Sequence, residues 1–207
     1  MFRFEKDMLP VIEEEFYKKF DNAKFIREFN SGNGIADFTF ATLNNEALSI
    51  VIKNYSEMYY LINFLNRKGE KIHPDKLIIQ NNLNPKIFSS LIIKLLEGGY
   101  LSQNESCYIV QQKYKSPIKN IISIEAKLCK WKDGYYQALR YKCFSHKSYL
   151  AISSRYVKNV DYDLLRQDNI GLISVLENKI EILINPIIQK PQDLIAFYHL
   201  SENMVFN

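Results

Sequence analysis

Cysteine is scarce in this chain. There are three, Cys107, Cys129 and Cys143, with no C-x-x-C pair. An odd number at wide spacing supplies neither a disulfide framework nor a zinc ligand set, and His73, His146 and His199 stand at no ligand spacing to them. No apolar run approaches the ~20 residues that cross a bilayer. The opening Met1-Phe2-Arg3-Phe4-Glu5-Lys6-Asp7 is charged almost at once and does not read as a secretory signal. These absences point to a cytoplasmic protein with reduced thiols and no membrane association. A strong excess of one charge is also missing: 27 basic and 23 acidic residues leave +4, compatible with a polyanionic partner without demanding one. What is plentiful is aromatic, with 14 Tyr and 13 Phe, so a dense core is expected. A length of 207 residues suits one domain plus a small insert.

The hydrophobic periodicity alternates between helix and strand. Met8, Ile12, Phe16 and Phe20 recur every fourth residue and predict a helix over 5–20, with Pro10 tolerated in its first turn. A strand over 24–29, the turn Asn30-Ser31-Gly32-Asn33-Gly34 and a strand over 35–43 read as a hairpin. Residues 48–52 suit strand and helix equally. In the second half, strands over 118–128, 148–153, 171–176 and 179–184 alternate with helices over 133–144, 161–167 and 191–200. This order predicts an α/β (α+β) fold, a mixed sheet flanked by helices.

Between these halves the character changes. Met58, Leu61, Ile62 and Leu65 make a helical stripe that stops at Gly69, Pro74 opens a short helix over 75–80, and Asn84-Pro85 caps a longer one over 86–97. Gly98-Gly99 ends it, and a hairpin over 100–110 follows. This order resembles a winged helix-turn-helix, in which the longer helix enters a DNA major groove. The resemblance implies that Lys86, Ser89, Ser90 and Lys94 face outward as DNA contacts. A purely structural or protein-binding winged helix is the other reading.

The rest of the chain is organised around Ile122-Ser123-Ile124-Glu125-Ala126-Lys127-Leu128. On a strand Glu125 and Lys127 share one face, away from Ile124 and Ala126. A carboxylate and an ammonium at a strand end can hold a divalent cation and a polarised water together. Alone, the triplet is also what a surface ion pair looks like.

Gly34-Ile35-Ala36-Asp37-Phe38, then Ile124-Glu125-Ala126-Lys127, then Gln137-Ala138-Leu139-Arg140-Tyr141 resemble, in that order, the PD-(D/E)XK nuclease superfamily. Its metal site is made by an Asp on one strand and an E-x-K on the next, and a Q-x-x-x-Y helix follows in its RecB-like branch. Glu5-Lys6-Asp7-Met8-Leu9-Pro10 is similar to the first helix of members that bring a Glu near the metals. The resemblance covers residues 1–54 and 114 to about 185. It departs from the pattern in lacking a proline before Asp37 and in the insertion between Asp37 and Glu125, which is acceptable if the ends of the insert are close. It implies a restriction-endonuclease-like core over 1–54 and 114–207, with a winged-helix insert over 55–113 beside the catalytic edge.

The same resemblance implies the chemistry. Asp37, Glu125 and Glu5 would bind Mg²⁺, with Mn²⁺ able to substitute, since hard oxygen donors suit these ions. Lys127 would orient or deprotonate the attacking water, neutral or charged. Gln137 and Tyr141 would contact DNA phosphate or brace Lys127, and Asp7, Glu13, Glu14 or Glu15 could stand in for Glu5. Lys130 and Lys132, on either side of Trp131, add DNA contacts. The expected function is a metal-dependent DNA endonuclease, a homodimer if both strands are cut. The alternatives are a non-catalytic DNA-binding or regulatory protein with a nuclease fold, and a subunit of a larger DNA-processing complex.

Overall fold

In the computed structural model of the chain, residues 2–19, 23–30, 34–47 and 50–206 are described. A 3-10 turn at Glu5–Asp7 leads into α1 (Leu9–Lys19), so the expected first helix starts with a tighter turn. The end of that helix at Phe20, the turn residues Ser31 to Asn33, and Leu48 and Ser49 of the ambiguous segment lie outside the described residues. Ile50 to Ile52, the remainder of that segment, have no regular structure.

The chain forms two compact units, one of residues 1–43 and 118–197, the other of 44–117 and 198–207. In the first, β1 (Ala23–Asn30) and β2 (Ile35–Leu43) pair antiparallel, and β2 pairs antiparallel with β6 (Ile118–Lys127). Beyond β6 lie β7 (Lys147–Ser153) and β8 (Gly171–Val175), both parallel, and then β9 (Ile180–Ile184), antiparallel. The six strands run β1-β2-β6-β7-β8-β9, the mixed sheet flanked by helices that the pattern predicts. The parallel crossovers pass through α5 (Trp131–Tyr141) and α6 (Tyr162–Gln167).

Strand alternation decides what each face does. Phe38, Phe40, Ile124, Ala126, Tyr149, Ala151 and Ile173 pack on one side against Met8, which follows the 3-10 turn, and Ile12 and Phe16 of α1. Leu150, Ile152 and Leu172 pack on the other against Tyr135 and Ala138 of α5 and Leu165 of α6. Both faces are covered, which is why the central residues of β6, β7 and β8 are largely apolar. Glu125 is a charged residue in that buried stretch of β6, and it is 1% exposed.

The second unit holds α2 (Tyr55–Phe64), β3 (Lys71–Ile72), α3 (Pro74–Asn81), α4 (Pro85–Glu97) and the hairpin β4 (Leu101–Asn104) and β5 (Cys107–Val110). The three strands run β3-β5-β4. Asn84 caps α4 by accepting from the Lys86 and Ile87 amides, as its sequence position predicts. Pro74 stands at the start of α3, where a missing N–H costs nothing.

The expected bounds of the insert, 55 and 113, move outward to 44 and 117, and the C-terminus joins it. The physical reason is a buried carboxylate. Glu202, on α7 (Leu194–Phe206), accepts from the Tyr114 hydroxyl and from the Ile52 amide, which ties three separate segments together. The last helix was expected over 191–200. It begins instead where the Asp193 carboxylate accepts from the Ala196 amide, an N-cap, and runs on past Leu200.

A second buried carboxylate corrects the expected outward face of α4. Glu57 of α2 accepts from Ser90 Oγ at 3.0 Å and from Lys94 Nζ at 2.6 Å. Ser90 and Lys94 are spaced one turn apart toward α2, so they serve this carboxylate rather than facing outward; Lys86 and Ser89 are exposed, as expected. Lys94→Met therefore removes the charged partner of a buried carboxylate. It should lower stability by about 2 kcal/mol, less than the ~3–5 of a fully buried pair because the ammonium is part-exposed. Urea unfolding of the full chain checks this, and an unchanged midpoint would contradict the pairing.

Candidate active site

The β2–β6 ladder places the first two site residues. Its pairing runs from Leu43↔Ile118 to Phe38↔Ile124. One residue past that last pair, Asp37 and Glu125 leave their strands on the same face, as opposed residues of an antiparallel pair must. The Ala126 amide at the end of the ladder donates to Asp37 Oδ2 at 2.7 Å, so residues 89 apart in sequence are locked together. Lys127, two residues beyond Glu125, lies on the same face and its ammonium donates to Glu125 Oε1 at 2.6 Å.

Glu5 arrives from the 3-10 turn. Its carboxylate accepts from the Leu128 amide at 3.4 Å and lies 3.7 Å from the Lys127 ammonium. Of the acidic residues near the N-terminus, Glu5 is therefore the one brought to β6. Asp7 accepts from the Arg3 and Phe4 amides, Glu13 pairs with Arg27, and Glu14 and Glu15 pair with Lys18.

Helix α5 supplies the other wall. Tyr141 Oη stands 2.5 Å from Glu125 Oε2 and 2.5 Å from the Ile35 carbonyl oxygen. Tyr141 thus holds Glu125, a role neither of the expected ones, phosphate contact or support of Lys127, anticipated. A phenol has one proton, and two acceptors compete for it. Tyr141 is the donor to both, its one proton shared between the Glu125 carboxyl and the Ile35 carbonyl. Gln137 is half-buried on the stripe of α5 between Gly134 and Tyr141, and no hydrogen bond joins it to the cluster among the described residues. Lys130 and Lys132 are exposed at the start of α5, the Lys132 ammonium 5.7 Å from the centre of the Trp131 ring.

Two glycines permit this close packing: Gly134, which the sequence motifs do not include, and Gly34, which they name as a turn residue. A Cβ on Gly134 would come within 2.5 Å of Leu150 and 2.8 Å of the Lys127 stem, so only glycine lets α5 lie directly on the site. An isolated glycine in a helical pattern was the available signal. Gly34 has φ +144°, and a Cβ there would meet the Tyr141 ring at 3.2 Å.

The electrostatics follow from burial. Burial raises the Asp37 carboxyl above the ordinary carboxylate range, against the Ala126 amide and Lys127, which pull it down. Burial and then the Asp37 charge raise Glu125, opposed by Lys127 and Tyr141. Burial alone would lower Lys127, but its bond to Glu125 and the carboxylates around it leave it raised, hence charged. Burial and the Glu125 bond push the Tyr141 hydroxyl far up, so it keeps its proton.

The donor chemistry suits a hard divalent cation. Asp37 and Glu125 are oxygen donors whose mutual repulsion a cation would relieve. Both Glu125 oxygens are engaged by Lys127 and Tyr141, and among the described residues no group of three His, Cys, Asp or Glu stands assembled as a metal centre. A cation would therefore replace a proton or the Lys127 contact at Glu125.

Comparison of the chain with protein-family models, with curated proteins and with solved structures gives no match.

A carboxyl raised in the folded state binds its proton more tightly there than in the unfolded chain, so stability falls as pH climbs from the ordinary carboxylate range through the raised value. Asp37→Asn keeps an acceptor for the Ala126 amide and removes the charge. It should be more stable than the parent at pH 8, with the advantage shrinking as pH approaches 4, measured as urea midpoints at both pH values. A variant less stable at pH 8 would contradict the assigned direction.

Proposed function

We propose that the protein is a metal-dependent DNA endonuclease that hydrolyses phosphodiester bonds at Asp37, Glu125 and Lys127. The observation that carries this reading is the convergence of these three residues, from two strands distant in sequence, on one face at one end of the sheet. The order of motifs resembling PD-(D/E)XK nucleases supports it, as does the helix–helix–hairpin order of the second unit, which resembles a winged helix.

Asp37 and Glu125, with Glu5 as a third donor, would hold Mg²⁺ or Mn²⁺. When bound, such an ion neutralises charge on the phosphate and lowers the pKa of a coordinated water. Lys127 stays protonated beside Glu125 and orients the attacking water or stabilises charge growing on the phosphate. Tyr141 fixes the Glu125 carboxyl, and Gly134 keeps α5 close enough for it to do so. Gln137 and the exposed Lys130 and Lys132 at the start of α5 would contact the DNA backbone. A homodimer would cut both strands.

One observation favours a second reading, a non-catalytic or partner-dependent DNA-binding protein, including a subunit of a larger complex. With Ser90 and Lys94 turned to Glu57, Lys86 is left as the exposed base of α4 beside Ser89. A single base gives that helix little hold on phosphate.

Supercoiled plasmid incubated with Mg²⁺ or Mn²⁺ separates the two. The nuclease reading predicts metal-dependent nicking that falls at least ~100-fold in both Asp37→Ala and Lys127→Ala. Nicking unchanged in both variants overturns the site. Absence of nicking with salt-sensitive duplex binding supports the second reading.

A further inference from the structure

A cavity of about 250 Å³ opens on the α1 side of the sheet, opposite the face of Glu125 and at the other end of the strands. It is framed by Thr42 at the end of β2, Asn120 and Ile122 at the start of β6, Lys147 and Tyr149 at the start of β7, and Asn185 after β9. Phe16, Ile182 and Ile188 give it apolar walls, and Lys19 and His146 complete it. Gly171 makes room for the Tyr149 ring, since a Cβ there would overlap it at 2.2 Å.

Several polar groups of this cavity offer donors. Asn185 Oδ1 accepts from Lys147 Nζ at 2.9 Å and from the Tyr149 hydroxyl at 2.8 Å. An ammonium only donates, so the atom facing it is the amide oxygen, and the Asn185 NH₂ is left over as a donor. Burial pushes the Tyr149 hydroxyl up to about 12, so it keeps the proton that it donates to Asn185. His146 Nδ1 accepts from the Ile121 amide at 3.1 Å, which puts the ring proton on Nε2. Burial lowers the His146 pKa, so the ring stays neutral.

Among the described residues the charge in the cavity has one sign: Lys19 and Lys147 line it, no acidic side chain does, and the half-buried Lys147 finds a neutral amide rather than a carboxylate. A part-buried cation with no counterion is costly unless an anion joins it. The combination of two ammonium groups, surplus N–H donors and apolar walls is that of a site for an amphipathic anion.

We propose that this cavity binds a small organic anion, one carboxylate or phosphate group on a ring-sized apolar body. The anionic group sits at Lys147 and Lys19, with the Asn185 amide as a further donor, and the ring lies against Phe16, Ile122 and Ile188. The site is independent of phosphodiester chemistry and stands or falls apart from the nuclease reading.

The test is an amide-resonance titration of the full chain with 2-naphthoate and with adenosine monophosphate, each beside its neutral parent, 2-naphthamide and adenosine. The proposal expects at least one anion to bind roughly tenfold tighter than its parent, shifting resonances of His146, Lys147, Tyr149 and Asn185. Binding by naphthoate alone assigns a carboxylate ligand, and by the nucleotide alone a phosphate ligand; both support the site. Lys147→Gln should weaken the anion about tenfold and leave the neutral parent unchanged. Ile188→Glu, at an exposed position that the fold does not need, should also repel the anion, and it serves if Lys147→Gln fails to fold. No shift with either anion, equal binding of the neutral parents, or indifference to both substitutions overturns the proposal.

Discussion

The antiparallel pairing of β2 with β6 is the constraint on which the rest depends. It joins the two segments of the first unit across residues 44–117, and its register fixes which side chains face α1 and which face α5. A slip of one residue would exchange the faces, burying Thr39 and Asp37 among the Phe residues and turning Phe38 and Phe40 toward α5. The stack of Phe16 on Phe40, with centroids 4.8 Å apart, and the apolar set around Phe38 make that exchange costly. The ladder stops at Phe38↔Ile124, and the amide freed beyond it is taken by Asp37. Strand pairing and site assembly are thus one event.

Burial then sets the chemistry. Two carboxyls on one face, one of them nearly inaccessible, cannot both be charged without help, and Lys127 offsets one charge of the two. The Tyr141 hydroxyl donates to Glu125 as well as to the Ile35 carbonyl, and this works against the rise that burial imposes on the Glu125 carboxyl. The cluster is a coupled group, and on the nuclease reading it is poised between holding a proton and holding a cation. On the nuclease reading, that balance links metal uptake to proton release.

Much of the first unit was legible because its strands carry strong signals. Ile35–Leu43 matches the expected strand residue for residue, and Ile118–Lys127 differs by one. Period-two patterning and the Gly/Asn turn are local properties, readable without knowing the partner strands. The helices of the second unit were legible for the same reason, through Pro74, Asn84 and the leucine stripe. What the sequence hid is what depends on a distant partner. Ser90 and Lys94 look like surface groups on α4 until Glu57 is seen beneath them, and the bond of Tyr141 to Glu125 shows only once α5 is packed on β6 through Gly134. The tie from Glu202 to Tyr114 and Ile52, which moves the unit boundary, spans most of the chain. The donor-lined cavity escaped notice because Lys19, Asn120, Lys147 and Asn185 become neighbours only in the folded sheet.

The most direct measurement is calorimetric titration of Mn²⁺ into the full chain at pH 7, repeated in buffers of differing ionisation enthalpy, for the parent and for Glu125→Gln. If Asp37, Glu125 and Lys127 form one metal-binding hydrolytic site, the parent binds Mn²⁺ with release of protons, and both binding strength and proton release drop in the variant. Mn²⁺ that does not bind, or that binds equally well to Glu125→Gln with the same proton release, contradicts the account.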